Sequence, residues 1–406
     1  MFKEEILKST IGMKTKLPSG YKSAGIHCGI KKSRKDLALI VSNYPATAAG
    51  VFTLNKVQAA PVLLSKKHLN ESENICAIIV NSGNANACTG ERGYIDAELM
   101  TEQTAEILGI EKNEVLVAST GVIGELLPME KILNGITAIK NSLADGDDKD
   151  AAEAIMTTDT FYKAESSTFD IAGKEVTISG IAKGSGMIHP NMATMLGFIT
   201  TDAAIEKDLL QTMLKNSVDK TFNRIVVDGD TSTNDMVLML ANGASGVSIT
   251  RESNSYEAFE SELFQILKKL AIDIIRDGEG ATKLIEVIVE GAESEQDAVK
   301  AAKTIALSPL VKTAIHGEDA NWGRIIAAVG YSGIEFDPAK FEIFINDTQI
   351  LQPNYIVSLP NAVANQTLKV KNVRLKVRLN AGSGSANCWT CDFSEDYVKI
   401  NGSYRS

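Results

Sequence analysis

The sequence contains few of the residues that stabilise secreted or metal-binding proteins. Its 406 residues include only five cysteines and four histidines. An odd number of cysteines in a chain of this length is typical of free thiols in a reducing compartment, not of a disulfide framework. Cys388 and Cys391 have the spacing of a zinc or redox pair, but no second pair and no histidine lie nearby. We therefore expect two buried thiols in a strand, and no metal.

Basic stretches and long apolar runs are also scarce. Lysine and arginine number 41 against 51 acidic residues, which gives a net charge of −10. The nearest approach to a basic patch, 31–35, is followed by Asp36 and is predicted to be a solvated turn between strands. This pattern argues against nucleic acid and membrane surfaces as partners. No run reaches the roughly 18 apolar residues of a membrane span, and acidic residues occupy the place of a secretion signal, so we expect a cytoplasmic protein.

The residues that are present describe a globular α/β (α+β) protein. Hydrophobic residues make up 44% and charged residues 23%, as in an ordinary soluble domain. At roughly 100–200 residues per domain, the length suggests two or three domains. The sequence pattern changes near residue 283, which predicts a catalytic domain over 1–283 and a C-terminal domain over 284–406.

Hydrophobic periodicity predicts alternating strands and helices. The predicted helices cover residues 94–108, 150–156, 205–222, 256–276 and 294–307. The predicted strands cover residues 37–41, 76–80, 114–118, 167–171, 175–181 and 284–290. Polar loops are expected at 81–87 and 119–124, directly after two of these strands.

The segment 183–198 carries the clearest chemical possibility. Its polar, glycine-containing stretch ends in the small residue Ala193, which is followed by the hydroxyl-bearing Thr194. The Thr194 hydroxyl could attack the Ala193 carbonyl, and hydrolysis of the resulting ester would leave a hydroxyl and a free α-amine on Thr194. Gly184 and Gly186 would allow the strained conformations that this reaction requires. The same residues would also suit an ordinary hairpin loop.

Two neighbouring patterns have simpler interpretations. His189 could be a general base beside Thr194, but the α-amine can take that role, so we expect a structural or processing-related histidine. Residues 228–239 resemble a calcium loop, yet Thr233 replaces its central glycine and Met239 its acidic twelfth residue. We expect a polar loop near the active site.

Several separate blocks together resemble one family. They lie at 81–87, 119–124, 156–160, 183–198, 227–235, 321–324 and 397–401. In this order they are similar to the ornithine acetyltransferase (glutamate N-acetyltransferase) family of arginine biosynthesis, from the first 30 residues to the last ten.

The resemblance implies a self-cleaving acetyltransferase with a layered, N-terminal-nucleophile-like fold. Members cut themselves at this Ala–Thr bond, here giving an α chain (1–193) and a β chain (194–406) that assemble as α2β2. Thr194 would take the acetyl group of N2-acetylornithine and give it to glutamate. This chemistry requires no metal and no organic cofactor. Acetyl-CoA would be a second donor in a bifunctional member.

The resemblance also assigns roles to residues of this chain. Thr120 and Gly121 match the oxyanion pair, Lys183 would bind a substrate carboxylate and Glu279 a substrate ammonium group. Without the resemblance, Lys183 and Glu279 would be surface charges and 119–122 a turn after a strand.

Three further positions match the binding residues of the family. They are Thr157, Asn401 and the terminal Ser406. Thr158 is a rival for Thr157, because one sequence does not fix the register within a Thr-Thr pair. Ser406 replaces the threonine at which the family commonly ends, and a C-terminal tail would have to be tied down to line a site.

Two other functions remain open from the sequence. A self-processing threonine aminopeptidase or amidohydrolase would use the same nucleophile but would give the acyl group to water. An uncleaved scaffold or binding protein would carry the 183–198 segment without using it.

Overall fold

The computed structural model describes residues 15–189, 195–253 and 255–403. Its strands are β1 (Tyr21–Ile26), β2 (Leu37–Phe52), β3 (Ile75–Asn84), β4 (Val115–Val122), β5 (Lys163–Ile171), β6 (Lys174–Lys183), β7 (Leu196–Thr201), β8 (Ala204–Ile205), β9 (Ile225–Val226), β10 (Met236–Ala241), β11 (Ser248–Ile249), β12 (Leu284–Ala292), β13 (Glu342–Ile345), β14 (Thr348–Gln352), β15 (Ile356–Val357), β16 (Asn372–Arg378) and β17 (Gly384–Cys391). Its helices are α1 (Ala60–Glu71), α2 (Gly90–Leu108), α3 (Met129–Ile139), α4 (Lys149–Ala154), α5 (Lys207–Lys220), α6 (Ser255–Arg276), α7 (Glu295–Leu307), α8 (Pro309–His316), α9 (Trp322–Gly330), α10 (Asn361–Ala364) and α11 (Glu395–Ser403).

The described residues form two compact units. The first unit takes the chain up to Asn223 together with Asp230–Ile274, and the second takes Arg224–Gly229 and the chain from Ile275 onward. The last boundary between the two units therefore lies at Ile275, whereas the sequence analysis placed its domain boundary near residue 283. None of the described helices is both long enough and apolar enough to cross a membrane.

One sheet organises the first unit. Its strand order is β4-β3-β2-β10-β7-β6-β5, with β1 paired to β2. Strands β10 and β7 are parallel to each other, and each is antiparallel to its outer neighbour, β2 or β6. The long strand β2 joins the two halves of the sheet, since its first residues pair with β1 and β3 and its last residues pair with β10.

Side-chain alternation builds the layers of the first unit. On β2, Leu37 and Leu39 point into a core shared with α1, α2 and α3. Ala38 and Ile40 point into a second core, which also holds inward-facing residues of β7 and β10 such as Phe198 and Leu238. The two halves of the sheet thus face each other. The layered α/β fold class predicted from the sequence is confirmed.

The second unit contains its own sheet, in the order β15-β14-β13-β16-β12-β17-β9. Helices α7, α8 and α9 contribute to the core of this unit, which includes Val287, Ile305 and Val377. Cys388 and Cys391 lie on β17 as buried free thiols, as predicted.

The periodic helices of the sequence analysis are all present. The predictions over 94–108, 150–156, 205–222, 256–276 and 294–307 correspond to α2, α4, α5, α6 and α7. Gly109 ends α2 in the left-handed conformation (φ 73°), and the side chain of Ser294 caps α7. Helices α1 and α3 lie where the patterns predict no helix, although Pro61 in the first turn of α1 is a start signal.

Candidate active site

The polar stretches after two predicted strands continue those strands. Asn81 to Asn84 extend β3 and Ser119 to Val122 extend β4, and the two strands pair in parallel register through Gly83 and Gly121. The predicted loops are therefore wrong for these residues. Ser119 donates its hydroxyl to Asn81 Oδ1 at 2.5 Å, so polar side chains between the strands satisfy one another and the ladder continues.

Gly121, one of the two predicted oxyanion residues, occupies a position that requires glycine. Its φ of +134° is a conformation that residues with a side chain rarely adopt. A Cβ built on Gly121 would lie 2.3 Å from the carbonyl carbon of Gly83. The close approach of β3 and β4 thereby fixes the backbone beside Thr120.

Asn234 connects the loop 227–235 to this region. Its side-chain amide donates to the carbonyl of Ala85 at 2.6 Å and to the carbonyl of Ser119 at 2.8 Å. Asn234 is buried. The predicted polar loop therefore supports the backbone that leads into Thr120 and Gly121, the predicted oxyanion pair.

Lys183 is the last residue of β6 and is 4% exposed, so it is not a surface charge. Its Nζ lies 3.4 Å from the hydroxyl oxygen of Thr120. The structure therefore brings together two residues that are 63 positions apart in the sequence and that the resemblance placed in the same site. A carboxylate bound by Lys183 would lie next to Thr120, one of the two predicted oxyanion residues.

Asp159 organises the buried charges behind Lys183. Its Oδ1 accepts hydrogen bonds from Lys163 Nζ at 2.7 Å and from the Gly184 N–H at 2.7 Å, and its Oδ2 accepts the Thr157 N–H at 2.9 Å. Burial alone would raise the pKa of Asp159, but the charges of Lys163 and Lys183 bring that pKa below its usual value. The carboxylate is thus ionised and fixes both the Thr157 backbone and the turn after β6. Thr157 and Thr158 are both half-buried, so the choice between them stays open.

The basic cluster 31–35 forms a bend between β1 and β2, as predicted, but its side chains are not simply solvated. Lys31 Nζ donates to the carbonyl of Met156 at 2.8 Å, and Arg34 donates to the carbonyl of Asp159 at 3.2 Å. Burial lowers the pKa of Lys31 to about 8. These contacts anchor the 156–159 segment, so the prediction of a purely solvated turn is wrong for Lys31 and Arg34.

The predicted cleavage bond between Ala193 and Thr194 lies outside the described residues, but both flanks are described. Before it, His189 Nδ1 lies 3.3 Å from Thr231 Oγ1. After it, the Met195 N–H donates to Asp235 Oδ1 at 3.0 Å, and the Met195 carbonyl accepts the Met236 N–H at 3.3 Å. Both backbone groups of Met195 are therefore tied to the start of β10.

The second unit brings two further predicted residues into contact. Asn401, on α11, donates its side-chain amide to Glu279 Oε2 at 2.7 Å. Glu279 is 6% exposed and lies in the turn after α6. This turn is held to the start of α11, because Ser394 Oγ donates to the Gly280 carbonyl at 2.6 Å. The C-terminal segment is thus tied down at Asn401, and Ser406 lies outside the described residues.

Four buried polar residues of the first unit gain significance only from the structure. Asp159, Lys163, Asn234 and Asp235 all sit within or beside the sequence blocks quoted above. Asp235 directly precedes the buried apolar strand β10, where a carboxylate is unexpected, and this position is the one sequence signal that could have identified it.

Comparison with known proteins gives consistent matches. The model of the ArgJ family matches residues 22–406. The arginine biosynthesis bifunctional protein ArgJ of Caldanaerobacter subterraneus subsp. tengcongensis is 51% identical over 398 residues, covering 97% of this chain and 98% of that protein. Its counterpart from Listeria monocytogenes serotype 4b is 49% identical over 403 residues, covering 99% of this chain and 100% of that protein. A crystal structure of ArgJ from Bacillus halodurans is 45% identical and has a TM-score of 0.50. The match covers 51% of this chain and 98% of the solved one.

Proposed function

Because the chain belongs to the ArgJ family, we propose that it is a self-cleaving glutamate N-acetyltransferase of arginine biosynthesis. It moves the acetyl group of N2-acetylornithine to glutamate through an acetyl-Thr194 intermediate. The observation that carries this proposal is the 3.4 Å approach of Lys183 Nζ to Thr120 Oγ1. This approach places a cation that can bind the carboxylate of an amino acid beside a hydroxyl that can stabilise an oxyanion.

Self-cleavage prepares the nucleophile. The Thr194 hydroxyl oxygen attacks the Ala193 carbonyl carbon, the C–N bond breaks, and the hydroxyl proton moves to the departing nitrogen. Water then hydrolyses the ester, leaving a carboxylate on Ala193 and both an α-amine and a hydroxyl on Thr194. The anchoring of Met195 supports this step, since it fixes the backbone next to Thr194.

Acetyl transfer then proceeds in two half-reactions. With the α-amine as base, Thr194 Oγ attacks the acetyl carbonyl of N2-acetylornithine, and the ornithine amine leaves with a proton. The amine of glutamate then attacks the acetyl ester and restores the Thr194 hydroxyl. The Thr120 hydroxyl and the Gly121 N–H stabilise the oxyanion in both halves, and one such donor is typically worth about 100- to 1000-fold in kcat.

Substrate recognition is assigned to charged and amide groups. Lys183 pairs with a carboxylate, Glu279 with an ammonium group, and Asn401 orients Glu279 through its 2.7 Å hydrogen bond. Thr157, which lies in the segment that Asp159 holds, also contributes to substrate binding. Ser406 contributes to it through its hydroxyl.

The reaction requires no metal or organic cofactor, because Thr194 carries the acetyl group itself. Acetyl-CoA would be a second donor if the protein also begins the pathway. The cut chains stay together and assemble as α2β2 in the cytoplasm, with neither nucleic acid nor a membrane as partner.

Two measurements and one variant test the proposal. Intact-mass analysis of the purified protein should show two chains that meet at Ala193 and Thr194, and a single chain of 43.6 kDa would contradict self-cleavage. Ornithine release from N2-acetylornithine should depend on added glutamate. Release at full rate without glutamate would instead identify an amidohydrolase. Thr194→Ala should give an uncut, inactive protein, and residual transfer by this variant would exclude Thr194 as the nucleophile.

A further inference from the structure

Lys31 is a half-buried cation in the bend between β1 and β2. Its backbone N–H donates to Asp36 Oδ2 at 2.8 Å. The same carboxylate accepts the Cys28 N–H at 2.6 Å and the Gly29 N–H at 3.2 Å, and Asp36 is fully buried. Because one buried carboxylate gathers three N–H groups of the bend, the backbone from which the Lys31 side chain extends is fixed.

The side chain of Lys31 passes β3 beside the glycine pair of the candidate site. A Cβ built on Gly83 would lie 2.9 Å from Lys31 Cγ, and Gly83 pairs with Gly121 across β3 and β4. At the end of the side chain, Nζ donates to the carbonyl of Met156 at 2.8 Å, directly before Thr157. The missing side chain at Gly83 therefore leaves room for a lysine whose ammonium group lies beside the segment that contains Thr157.

The electrostatic surroundings of this ammonium group favour an anion. Burial lowers the pKa of Lys31 to about 8, and the positive charges of Arg34 and Lys183 act in the same direction. The carboxylates of Asp36 and Asp159 oppose this only in part. Among the described residues, the ammonium group donates one hydrogen bond, although it carries three N–H donors. A bound carboxylate would supply both an acceptor and a compensating charge.

The two proposed substrates differ in the number of carboxylates that they carry. N2-acetylornithine has one carboxylate, and its side chain ends in an ammonium group. Glutamate has two carboxylates, and Lys183 is proposed to bind one carboxylate of a substrate. A site that accepts glutamate therefore requires a second cation, which the acetyl donor does not need. The charge of Lys183 acts on Lys31, so the two lysines are close enough to bind one small dicarboxylate together.

We propose that Lys31 determines the specificity for the acceptor, with its ammonium group binding the side-chain carboxylate of glutamate while Lys183 binds the α-carboxylate that both substrates share. This inference rests on the proposed function. Lys31 contacts none of the reacting atoms, so it should affect the half-reaction in which glutamate takes the acetyl group and not the one in which N2-acetylornithine gives it. Glutamine has a side chain of the same shape without the charge, and it is the matched acceptor that should gain nothing from Lys31.

The test compares Lys31→Met with two controls. Lys31→Arg keeps the positive charge and the hydrogen-bond donors. Lys32→Met removes the charge of the next residue in the same bend, which is exposed. In a reaction with two half-reactions, kcat/KM for each substrate reports its own half-reaction. Each variant is assayed for kcat/KM with N2-acetylornithine, glutamate and glutamine, after intact mass has shown the cut and circular dichroism the fold.

We expect Lys31→Met to lower kcat/KM for glutamate by at least about tenfold, as for the loss of a hydrogen bond between two charged groups. The values for N2-acetylornithine and for glutamine should stay within about threefold of wild type. The preference for glutamate over glutamine should therefore fall by about tenfold. Lys31→Arg should restore most of this preference, and Lys32→Met should leave all three values within about twofold of wild type.

A purely structural role of Lys31 predicts a different pattern. If the side chain only holds the 156–159 segment, its loss should lower all three values together, and that result would overturn the inference. An unchanged preference for glutamate in Lys31→Met would also overturn it, and so would an equal loss of preference in Lys32→Met. If Lys31→Met does not fold, Lys31→Gln replaces it with the same expectations. A wild-type protein that transfers acetyl to neither acceptor would refute the proposed function, irrespective of these variants.

Discussion

Two buried carboxyl groups in the first unit are in opposite electrostatic environments. Asp159 accepts from Lys163 Nζ and from two backbone N–H groups, and the net effect on its pKa is a decrease. Asp235 accepts the Met195 N–H on Oδ1, and burial raises its pKa well above the usual value. The ionised Asp159 carboxylate therefore stabilises the folded chain at neutral pH, whereas burial of Asp235 disfavours its ionised form.

Asp159→Asn should lower the free energy of unfolding by about 3–5 kcal/mol at pH 7, because it leaves the buried Lys163 charge without its carboxylate. A group whose pKa is lowered by folding contributes stability above its unfolded pKa. The advantage of wild type should therefore be constant from pH 7 to about 5 and shrink below about pH 4. Urea unfolding at a series of pH values measures this.

The control is a surface pair with the same sequence separation and the same distance between the charged atoms. Lys215 and Asp219 share the i,i+4 spacing and the 2.7 Å distance of the buried pair, but their side chains are 64% and 45% exposed. Asp219→Asn should cost less than about 1 kcal/mol. Equal costs for the two variants would show that burial does not determine the contribution of Asp159.

Gly121→Ala should reduce kcat by about 100-fold or more, because the added Cβ pushes β4 away from the Gly83 carbonyl and displaces the Thr120 and Gly121 donors. Gly109→Ala is the matched control. Gly109 also has a positive φ, of 73°, but a Cβ there meets nothing within 4 Å. We expect it to lose about 1 kcal/mol of stability and to keep its kcat. Thermal unfolding and steady-state kinetics on both variants distinguish the effect of backbone strain from the effect of the close approach between β3 and β4. A wild-type kcat in Gly121→Ala would refute the oxyanion role.

At the scale of elements, the strands extend further than the sequence pattern indicates. Hydrophobic periodicity locates β3 and β4 but stops where Asn81 and Ser119 begin, since these polar residues do not look like a buried strand. They remain in the ladder because each satisfies the other at 2.5 Å. Such cross-strand pairing depends on a neighbour 38 positions away, so a local pattern does not reveal it.

The helices were easier to predict than the ends of the strands. A helix such as α6 carries its signal within one continuous segment, at helical spacing, so a local pattern reveals it. Of the candidate site, the resemblance supplied Thr120, Lys183, Glu279 and Asn401. The sequence could not supply Asp159 as the organiser of the buried charges behind Lys183, because its role comes from Lys163, Gly184 and Thr157 converging on one carboxylate.

Asn401→Ala should raise KM for the amino-acid substrates by about tenfold, because it removes the 2.7 Å hydrogen bond that orients the Glu279 carboxylate. kcat should change less than KM, since this contact acts on binding. Val398, on the same helix and 69% exposed, offers the control Val398→Ala, which should leave both constants within about twofold. Steady-state kinetics at varied glutamate and N2-acetylornithine would show this. An unchanged KM in Asn401→Ala would contradict the role of α11 in binding.

At the scale of the whole molecule, strands from both sides of the proposed cut share one sheet. Strands β7 and β10 follow the cut, and they lie between β2 and β6, which precede it. Leu196, Phe198 and Leu238 of the inserted strands are at most 1% exposed in the core between the sheet halves. Separating the two chains would expose these side chains, at about 1.5–3 kcal/mol each, and break the hydrogen bonds on both sides of the inserted strands.

The wild-type protein should therefore elute as one species from a native sizing column, yet separate into two bands when denatured. Thr194→Ala should elute in the same position and give one band. Separation of the two wild-type chains under native conditions would contradict the shared sheet.

Because β10 and β7 are inserted between β2 and β6, folding of the sheet should precede the proposed cut. The peptide link at residues 193 and 194 keeps both halves at high effective concentration while the central strands find their register. After the proposed cut, no covalent connection would guide the later half back between the two flanks of the earlier one. The cut protein should therefore be kinetically trapped in its folded state, and it should refold poorly from denaturant where the uncut Thr194→Ala chain refolds well.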